Sequence, residues 1–263
     1  ASSITTAGSI LSSYSDRTWW PEWKGKVTLT DNAFIGGYVH ANSGYNSGRG
    51  NLLISGDIDD GGNGYSLTIR AIQADRAVRL TGQNTYSGGT VLSSGAHLYA
   101  AEGALGTGPV TWSGGVYHYE GDASCDIAAL GVANSGAFNV HVPEGVTYTP
   151  ATTIGKHSGF GKYGGGTLVL AHDNTETSGG AYHYGGTVVF DYTESQGARY
   201  NSGQNWLMNE DAKVIVRGIP ATQKTAISQY FITDSGCWAE MSNESESPKF
   251  TIGRIIINNS GKF

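Results

Sequence analysis

The chain has 263 residues, of which 40 are glycine and 15 are tyrosine. A formal net charge of −6, without long basic runs, disfavours nucleic acid as a partner because a phosphate backbone attracts concentrated Lys and Arg. No apolar run reaches the length of a membrane-spanning helix. So many glycines and tyrosines favour strands and turns over helices, and the composition predicts an all-β protein.

The N-terminal part, residues 1–26, holds the densest aromatic cluster of the chain, formed by Trp19, Trp20 and Trp23. Repeats further along predict a coiled chain, and the first coil of such a chain exposes strand edges and an apolar cross-section. We interpret the cluster as a cap over that coil; a stacking platform for sugar and a docking surface for another subunit are the alternatives. The start at Ala1 fits a secreted protein after signal cleavage, and equally an excised segment.

A carboxylate cluster follows at Asp57, Asp59 and Asp60. Glycoside hydrolysis needs two carboxylates at one cleft, and Asp57 and Asp59 would share a face of a strand. The next residues, Gly61 to Gly64, instead predict a polar turn, with calcium as no more than an adventitious ligand. The Gly-His-Gly and Arg-x-Lys sequences that accompany paired aspartates in β-helical pectin hydrolases are absent.

The chain then repeats itself: residues 80–98 and 170–189 share one pattern, with Asn84 and Asn174 at matching positions. A looser copy begins at Leu29. Paired glycines precede short alternating strands, at intervals that indicate coils of roughly 20–26 residues. Glycine suits corners that need positive φ or close backbone approach. The residues expected to set this repeat are Asn84, Gly88, Gly89, Asn174, Gly179 and Gly180.

Alternation within the strands predicts which side chains enter the core. We expect inward and outward sets to alternate along each strand. The inward set is Leu98, Ala100, Tyr117, Tyr119, Leu168 and Leu170, and the outward set is His97, Val116, His118, Glu120, Thr167 and Val169.

The run LTGQNTYSGGT, from Leu80 to Thr90, resembles the autotransporter-associated β-strand repeat. The match covers residues 80–112; it is weaker over residues 164–191, where Glu176 and Thr177 replace the motif's tyrosine, and weaker again near Leu29. The resemblance implies a single-stranded, right-handed parallel β-helix in the passenger region of a bacterial secreted or surface protein. The motif consists of structural residues, so it implies no catalytic residue.

Beyond these windows we expect one β-helix domain over residues 1–263, with a less regular surface insertion at 191–249. Solvated surface histidines are the interpretation of His97 and His118, because zinc needs three or four convergent ligands. Cys125 and Cys237 are about five coils apart, so buried free thiols are favoured, and a bridge within or between chains stays open.

The sequence therefore predicts a non-enzymatic, secreted or cell-surface protein with a structural or adhesive role, without cofactor or metal. Its expected partners are other copies of itself, stacked end to end into an extracellular fibre, and a glycan or host surface. The expected contact residues are Trp19, Trp20, Trp23, Phe250, Ile252, Ile255 and Ile257. The alternative is a glycan-binding or glycan-cleaving β-helix that uses an outward face.

Overall fold

The computed structural model describes residues 3–6, 8–12, 20–37, 51–71, 76–126, 132–133, 136–154, 158–172, 180–193, 204–208, 211–218, 227–233, 238–241 and 252–257. They fall into two compact units, one drawn from residues 1–118 and 130–133 and the other from residues 119–129 and 134–263. Both are all-β; within the ranges given, the one helical element is a 3₁₀ turn at Ala123–Cys125. None of these residues forms a helix long and apolar enough to cross a membrane.

The first unit winds through three parallel sheets. Its strands in chain order are β1 (Ser3–Thr6), β2 (Ser9–Ser12), β3 (Glu22–Trp23), β4 (Lys26–Leu29), β5 (Ala33–Gly37), β6 (Leu52–Ile54), β7 (Ile58–Asp59), β8 (Leu67–Ala71), β9 (Arg76–Leu80), β10 (Thr90–Ser93), β11 (Ala96–Ala100), β12 (Val110–Ser113), β13 (Val116–His118) and β14 (Val132–Ala133). The sheets have the orders β1-β4-β7, β2-β5-β8-β10-β12-β14 and β3-β6-β9-β11-β13. Each strand therefore pairs with its counterpart one coil later, which is the topology of a β-solenoid.

The second unit coils in the same way with two strands per coil. Its strands are β15 (Ala137–His141), β16 (Thr147–Tyr148), β17 (Gly159–Tyr163), β18 (Thr167–Leu170), β19 (Ala181–His183), β20 (Thr187–Asp191), β21 (Gln204–Leu207), β22 (Lys213–Arg217), β23 (Ile227–Thr233), β24 (Trp238–Met241) and β25 (Ile252–Ile257). The odd-numbered strands form one parallel sheet and the even-numbered strands the other. Four of these strands, β21 to β24, lie in the 191–249 range, where we expected an insertion.

The predicted coil length is confirmed for most coils. Arg76 pairs with Ala96 and Gln204 pairs with Tyr230, and these two coils mark the short and the long end of the predicted range. The exception is early in the first unit, where Ala33 pairs with Leu67 across a coil longer than that range. The hand of the coil and the single-domain organisation stay predictions.

Columns of apolar side chains, one from each coil, form the core of both units. In the first unit, one column on neighbouring strands is at most 1% exposed and consists of Ile35, Ile69, Leu92 and Trp112. In the second unit the rings of Phe138 and Phe160 stack 6.2 Å apart. Because the paired strands are parallel and keep one register, apart from a shift between β23 and β25, like side chains repeat along the core at the strand spacing.

The alternation predicted from sequence holds for Leu98 and for the two tyrosines of the inward set, but not for Ala100, which is half-buried. Leu98, Tyr117 and Tyr119 are buried, whereas His97 is half-buried and Glu120 is exposed. Val169, which we expected on the outward face, is only 8% exposed. Val169 lies in register with the buried Val189, so β-branched side chains cover one another on what we expected to be a solvated face.

The paired glycines form corners, as predicted, and Gly88-Gly89 shows both reasons. A Cβ atom on Gly88 would lie 2.3 Å from the Gly64 carbonyl oxygen of the preceding coil. Gly89 has φ of 91°, a conformation that costs other residues free energy. The first glycine therefore permits close approach and the second permits the turn.

Asn84 links three successive coils from inside the first unit. Its side-chain Oδ1 accepts the Ile58 N–H at 2.7 Å, and its Nδ2 donates to the Ala104 carbonyl at 2.6 Å. The side chain is buried, and its own N–H donates to the Gly103 carbonyl. This internal bridge explains why an asparagine marks the repeat; its counterpart Asn174, and Gly179, lie outside the described residues.

Candidate functional site

The predicted contact residues are described only in part. Trp19 and Phe250 lie outside the described residues, and Ile252, Ile255 and Ile257 are described by backbone alone, in β25. That strand pairs with β23, and its other edge has no partner among the strands defined above. Trp23 is half-buried in β3. A docking role for these residues stays a prediction.

Trp20 lies on the outward face of the β3-β6-β9-β11-β13 sheet, together with planar and basic side chains from later coils. We name this set the outer basic face; it consists of Trp20, Arg79, His97, Tyr99 and His118. Register brings it together, because Arg79 pairs with Tyr99 and Tyr99 pairs with His118 on adjacent strands. All five side chains are half-buried.

The groups of the outer basic face stack in one continuous series. The Arg79 guanidinium carbon lies 5.3 Å from the Trp20 ring centre and 4.6 Å from that of Tyr99. The Trp20 and Tyr99 rings themselves meet edge to face at 5.7 Å. Tyr99 then stacks on His118 at 4.2 Å. The guanidinium therefore lies against two aromatic rings, which stabilises a cation electrostatically.

The two histidines of this face contact each other directly. Nδ1 of His97 lies 2.7 Å from Nε2 of His118, a hydrogen bond that needs a proton on one nitrogen and a lone pair on the other. His97 and His118 lie on the adjacent strands β11 and β13, so register and stacking bring the rings together. Both are half-buried, and the interpretation of them as solvated surface histidines stays a prediction.

The aspartate cluster forms a turn, as predicted, but the strand also continues into it. Strand β7 includes Asp59, so Asp57 and Asp59 both line a depression of about 520 Å³ with Lys26 and Gln83. Both carboxylates have partners: Asp57 Oδ1 accepts the Gln83 N–H at 2.8 Å, and Asp59 lies 2.6 Å from Lys26 Nζ. These contacts are those of a structural corner, in which Asp57 and Asp59 each bind a neighbouring group of the protein.

Asp60 is 1% exposed, although the sequence indicated a surface turn. Burial raises its pKa, but N–H groups of Ser87, Gly62 and Tyr65 and the Ser87 hydroxyl donate to the carboxylate and lower the pKa to about 2. Since Ser87 belongs to the next coil, the charged carboxylate ties two coils together.

Lys162 is fully buried in the second unit. Its Nζ donates to the carbonyl oxygens of Gly164 and Gly185, the latter at 2.8 Å. Desolvation lowers the pKa of this amine to about 8, and the negative charge of Asp211 acts in the opposite direction. The alternation of β17 points the residue inward, where its long stem reaches back to two corner carbonyls.

An outward row of aromatic side chains also lies on the second unit. Tyr163 and Tyr184 stack at 4.5 Å, and Tyr182 is 40% exposed beside Tyr184 at 6.3 Å. Burial, and then the neighbouring Tyr184, raise the pKa of Tyr163 to about 12. The row consists of tyrosine side chains without arginine or histidine, which distinguishes it from the outer basic face.

The described residues form neither a metal site nor a disulfide. Within them, no group of three or more His, Cys, Asp or Glu side chains could hold a metal ion. Cys125 is half-buried, and Cys237 lies outside the described residues. The alternatives for the two thiols therefore stay open.

Sequence reasoning did not single out Arg79, Tyr99 or the tyrosine row. The signal was present: Arg79, Tyr99 and His118 follow one another at intervals of one coil, at outward positions of alternating strands. Aligning outward positions by coil would have predicted the stack.

The chain is 28% identical over 224 residues to the adhesin BmaC autotransporter of Brucella suis biovar 1 (strain 1330). The match covers 76% of this chain and 6% of that protein, so the chain spans a small part of its relative's length. No protein-family profile matches the chain, and no solved structure matches it. The similarity and the parallel β-solenoid agree with the resemblance to autotransporter proteins; the repeat type stays a prediction.

Proposed function

We propose that this protein is a non-enzymatic, adhesive β-solenoid displayed at the bacterial surface or secreted from it. The observation that carries the proposal is the similarity to an autotransporter adhesin across most of the chain, joined to a parallel β-solenoid. A solenoid presents long outward columns of side chains on a rigid support, which suits contact with an extended surface.

The direct test is adhesion of beads coated with the purified chain to cultured epithelial cells. Beads coated with the chain are expected to adhere above the level of albumin-coated beads. Binding equal to albumin would contradict an adhesive role. Release of reducing sugar from polysaccharides incubated with the chain would contradict a non-enzymatic one.

We further propose that copies associate end to end. The parallel coils support this, because main-chain hydrogen bonds that join one coil to the next can also join a strand such as β25 to a strand of another copy. The expected result is regular filaments in cryo-electron micrographs at high concentration.

A matched pair of variants tests the edge. Ile255→Lys places a charge on β25 and is expected to abolish filaments, because edge lysines oppose strand addition. Thr81→Lys places the same charge at an exposed position of the first unit and should leave them intact. Short dispersed rods at every concentration, or filaments that persist in Ile255→Lys, would refute end-to-end pairing through β25.

A further inference from the structure

We propose that the outer basic face binds acidic polysaccharide, with Arg79 and the His97–His118 pair contacting its carboxylate or sulfate groups. The inference rests on the adhesive function proposed above and names the chemistry of the surface that the protein contacts. It goes beyond the general expectation of a glycan partner, because it assigns a negative charge to the glycan and names the residues that bind its anionic groups.

Arg79 is suited to anions by the way it is held. The Trp20 and Tyr99 rings contact the guanidinium from two directions, because they are perpendicular to each other and their centres lie 5.3 and 4.6 Å from its central carbon. The N–H groups of a guanidinium form a planar fork that matches two oxygens of a carboxylate or sulfate. Prior immobilisation by Trp20 and Tyr99 also lowers the entropy lost on binding.

The histidine pair adds charge that depends on pH. The 2.7 Å contact between His97 and His118 holds one proton between two nitrogens, and one further proton, on a ring nitrogen outside this contact, turns the neutral pair into a single cation without breaking the hydrogen bond. A bound anion stabilises that cation, so by linkage a lower pH strengthens anion binding. Among the residues that the structure describes, Arg79 adds positive charge beside this pair, and Glu22 lies in the same row and is paired with Lys24 at 3.3 Å. Glu120, two residues after His118, is exposed.

The shape of the face favours a linear polymer. Arg79, Tyr99 and His118 lie on the successive strands β9, β11 and β13 of one sheet, over a track of roughly 10 Å at the ordinary strand spacing, and the Trp20 ring packs against Arg79 and Tyr99. A membrane would instead need apolar side chains to insert. The exposed large hydrophobic side chains of the described residues, Tyr182 and Met208, both belong to the second unit.

The experiment uses the whole chain and two probes that share a backbone, dextran sulfate and neutral dextran, in biolayer interferometry at pH 5.5 and 7.5. We expect binding to dextran sulfate that is tighter at pH 5.5, and no binding to dextran. Arg79→Gln should weaken it by about tenfold or more, the usual effect of losing a charge-assisted hydrogen-bond donor. Joint replacement of both histidines by Gln should remove most of the pH dependence.

Arg70→Gln is the matched control. Arg70 is exposed on β8, in a different sheet, with its guanidinium 5.5 Å from the Phe34 ring, so its loss removes the same charge and a similar contact elsewhere. Equal weakening by Arg70→Gln and Arg79→Gln would overturn the proposal, because binding would then follow net charge alone. Circular dichroism confirms that each variant is folded, and Arg79→Lys provides a second folded variant, expected to bind more weakly than wild type.

Two further outcomes separate this inference from the adhesive function. Bead adhesion that persists in Arg79→Gln would overturn the inference and leave adhesion standing. Dextran sulfate binding without bead adhesion would support the inference and overturn the adhesive function. Equal or tighter binding to vesicles of anionic phospholipid than to dextran sulfate would overturn the choice of polysaccharide.

Discussion

Replacing Asn84 with alanine tests whether internal hydrogen bonds hold successive coils together. The side chain satisfies the Ile58 N–H at 2.7 Å and the Ala104 carbonyl at 2.6 Å, and it is 5% exposed. Alanine fills less space and offers neither a donor nor an acceptor. Each backbone group left buried without a partner costs about 1–3 kcal/mol, so Asn84→Ala should lower the free energy of unfolding by about 2–5 kcal/mol.

The assay is urea unfolding followed by tryptophan fluorescence, to which the buried Trp112 of the same unit contributes. Thr81→Ala is the control, because Thr81 is exposed and three residues away in the same repeat. It should change stability by less than about 0.5 kcal/mol. If Asn84→Ala also costs less than about 1 kcal/mol, the reasoning is refuted. Water would then have replaced the amide as hydrogen-bond partner, and the side-chain bridge would not be the reason for an asparagine in the repeat.

Three other predictions concern the corners and buried charges. Gly88→Ala should lower the midpoint of thermal unfolding, since a Cβ there meets backbone at 2.3 Å, whereas Gly8→Ala, with no atom within 4 Å, should have little effect. Asp60 has a folded-state pKa of about 2, below its unfolded value, so its stabilisation is complete above pH 4 and is lost as pH falls toward 2. Asp60→Asn should remove about 1–2 kcal/mol of that acid dependence in urea titrations, allowing for solvent screening; identical profiles for the two proteins would refute it. Lys162 has a folded-state pKa of about 8, below its unfolded value, so stability should rise by up to about 3 kcal/mol between pH 8 and pH 10.5. Lys162→Met should lose this rise in urea midpoints, and an unchanged rise would show that the amine is not the group responsible.

The fold was predictable from sequence because the repeat obeys simple geometry. Alternation in β11 and β13 correctly predicted that Leu98 and Tyr117 face inward, and paired glycines correctly marked the corners. The longer coil between Ala33 and Leu67 was not predictable, because the looser repeat near Leu29 carries no second copy that fixes its length.

Buried polar residues were the main failure of sequence reasoning. Asp60 was placed only in a polar turn and Lys162 was not singled out, because side chains of both kinds ordinarily stay in water. The structure buries them because each satisfies backbone groups at a corner: N–H groups for the carboxylate, and two carbonyl oxygens for the amine. Such partners become visible only when neighbouring coils are aligned in three dimensions.

The same geometry explains why outward positions hold the information about function. The core and corners of a parallel solenoid restrict inward side chains and glycines, whereas an outward side chain need only tolerate its register partners. Planar groups at matching positions of adjacent coils therefore stack, as Arg79 and Tyr99 do in one unit and Tyr163 and Tyr184 in the other. The first column contains arginine and histidine and the second consists of tyrosine, so each unit presents an outward column of different chemistry to its surroundings.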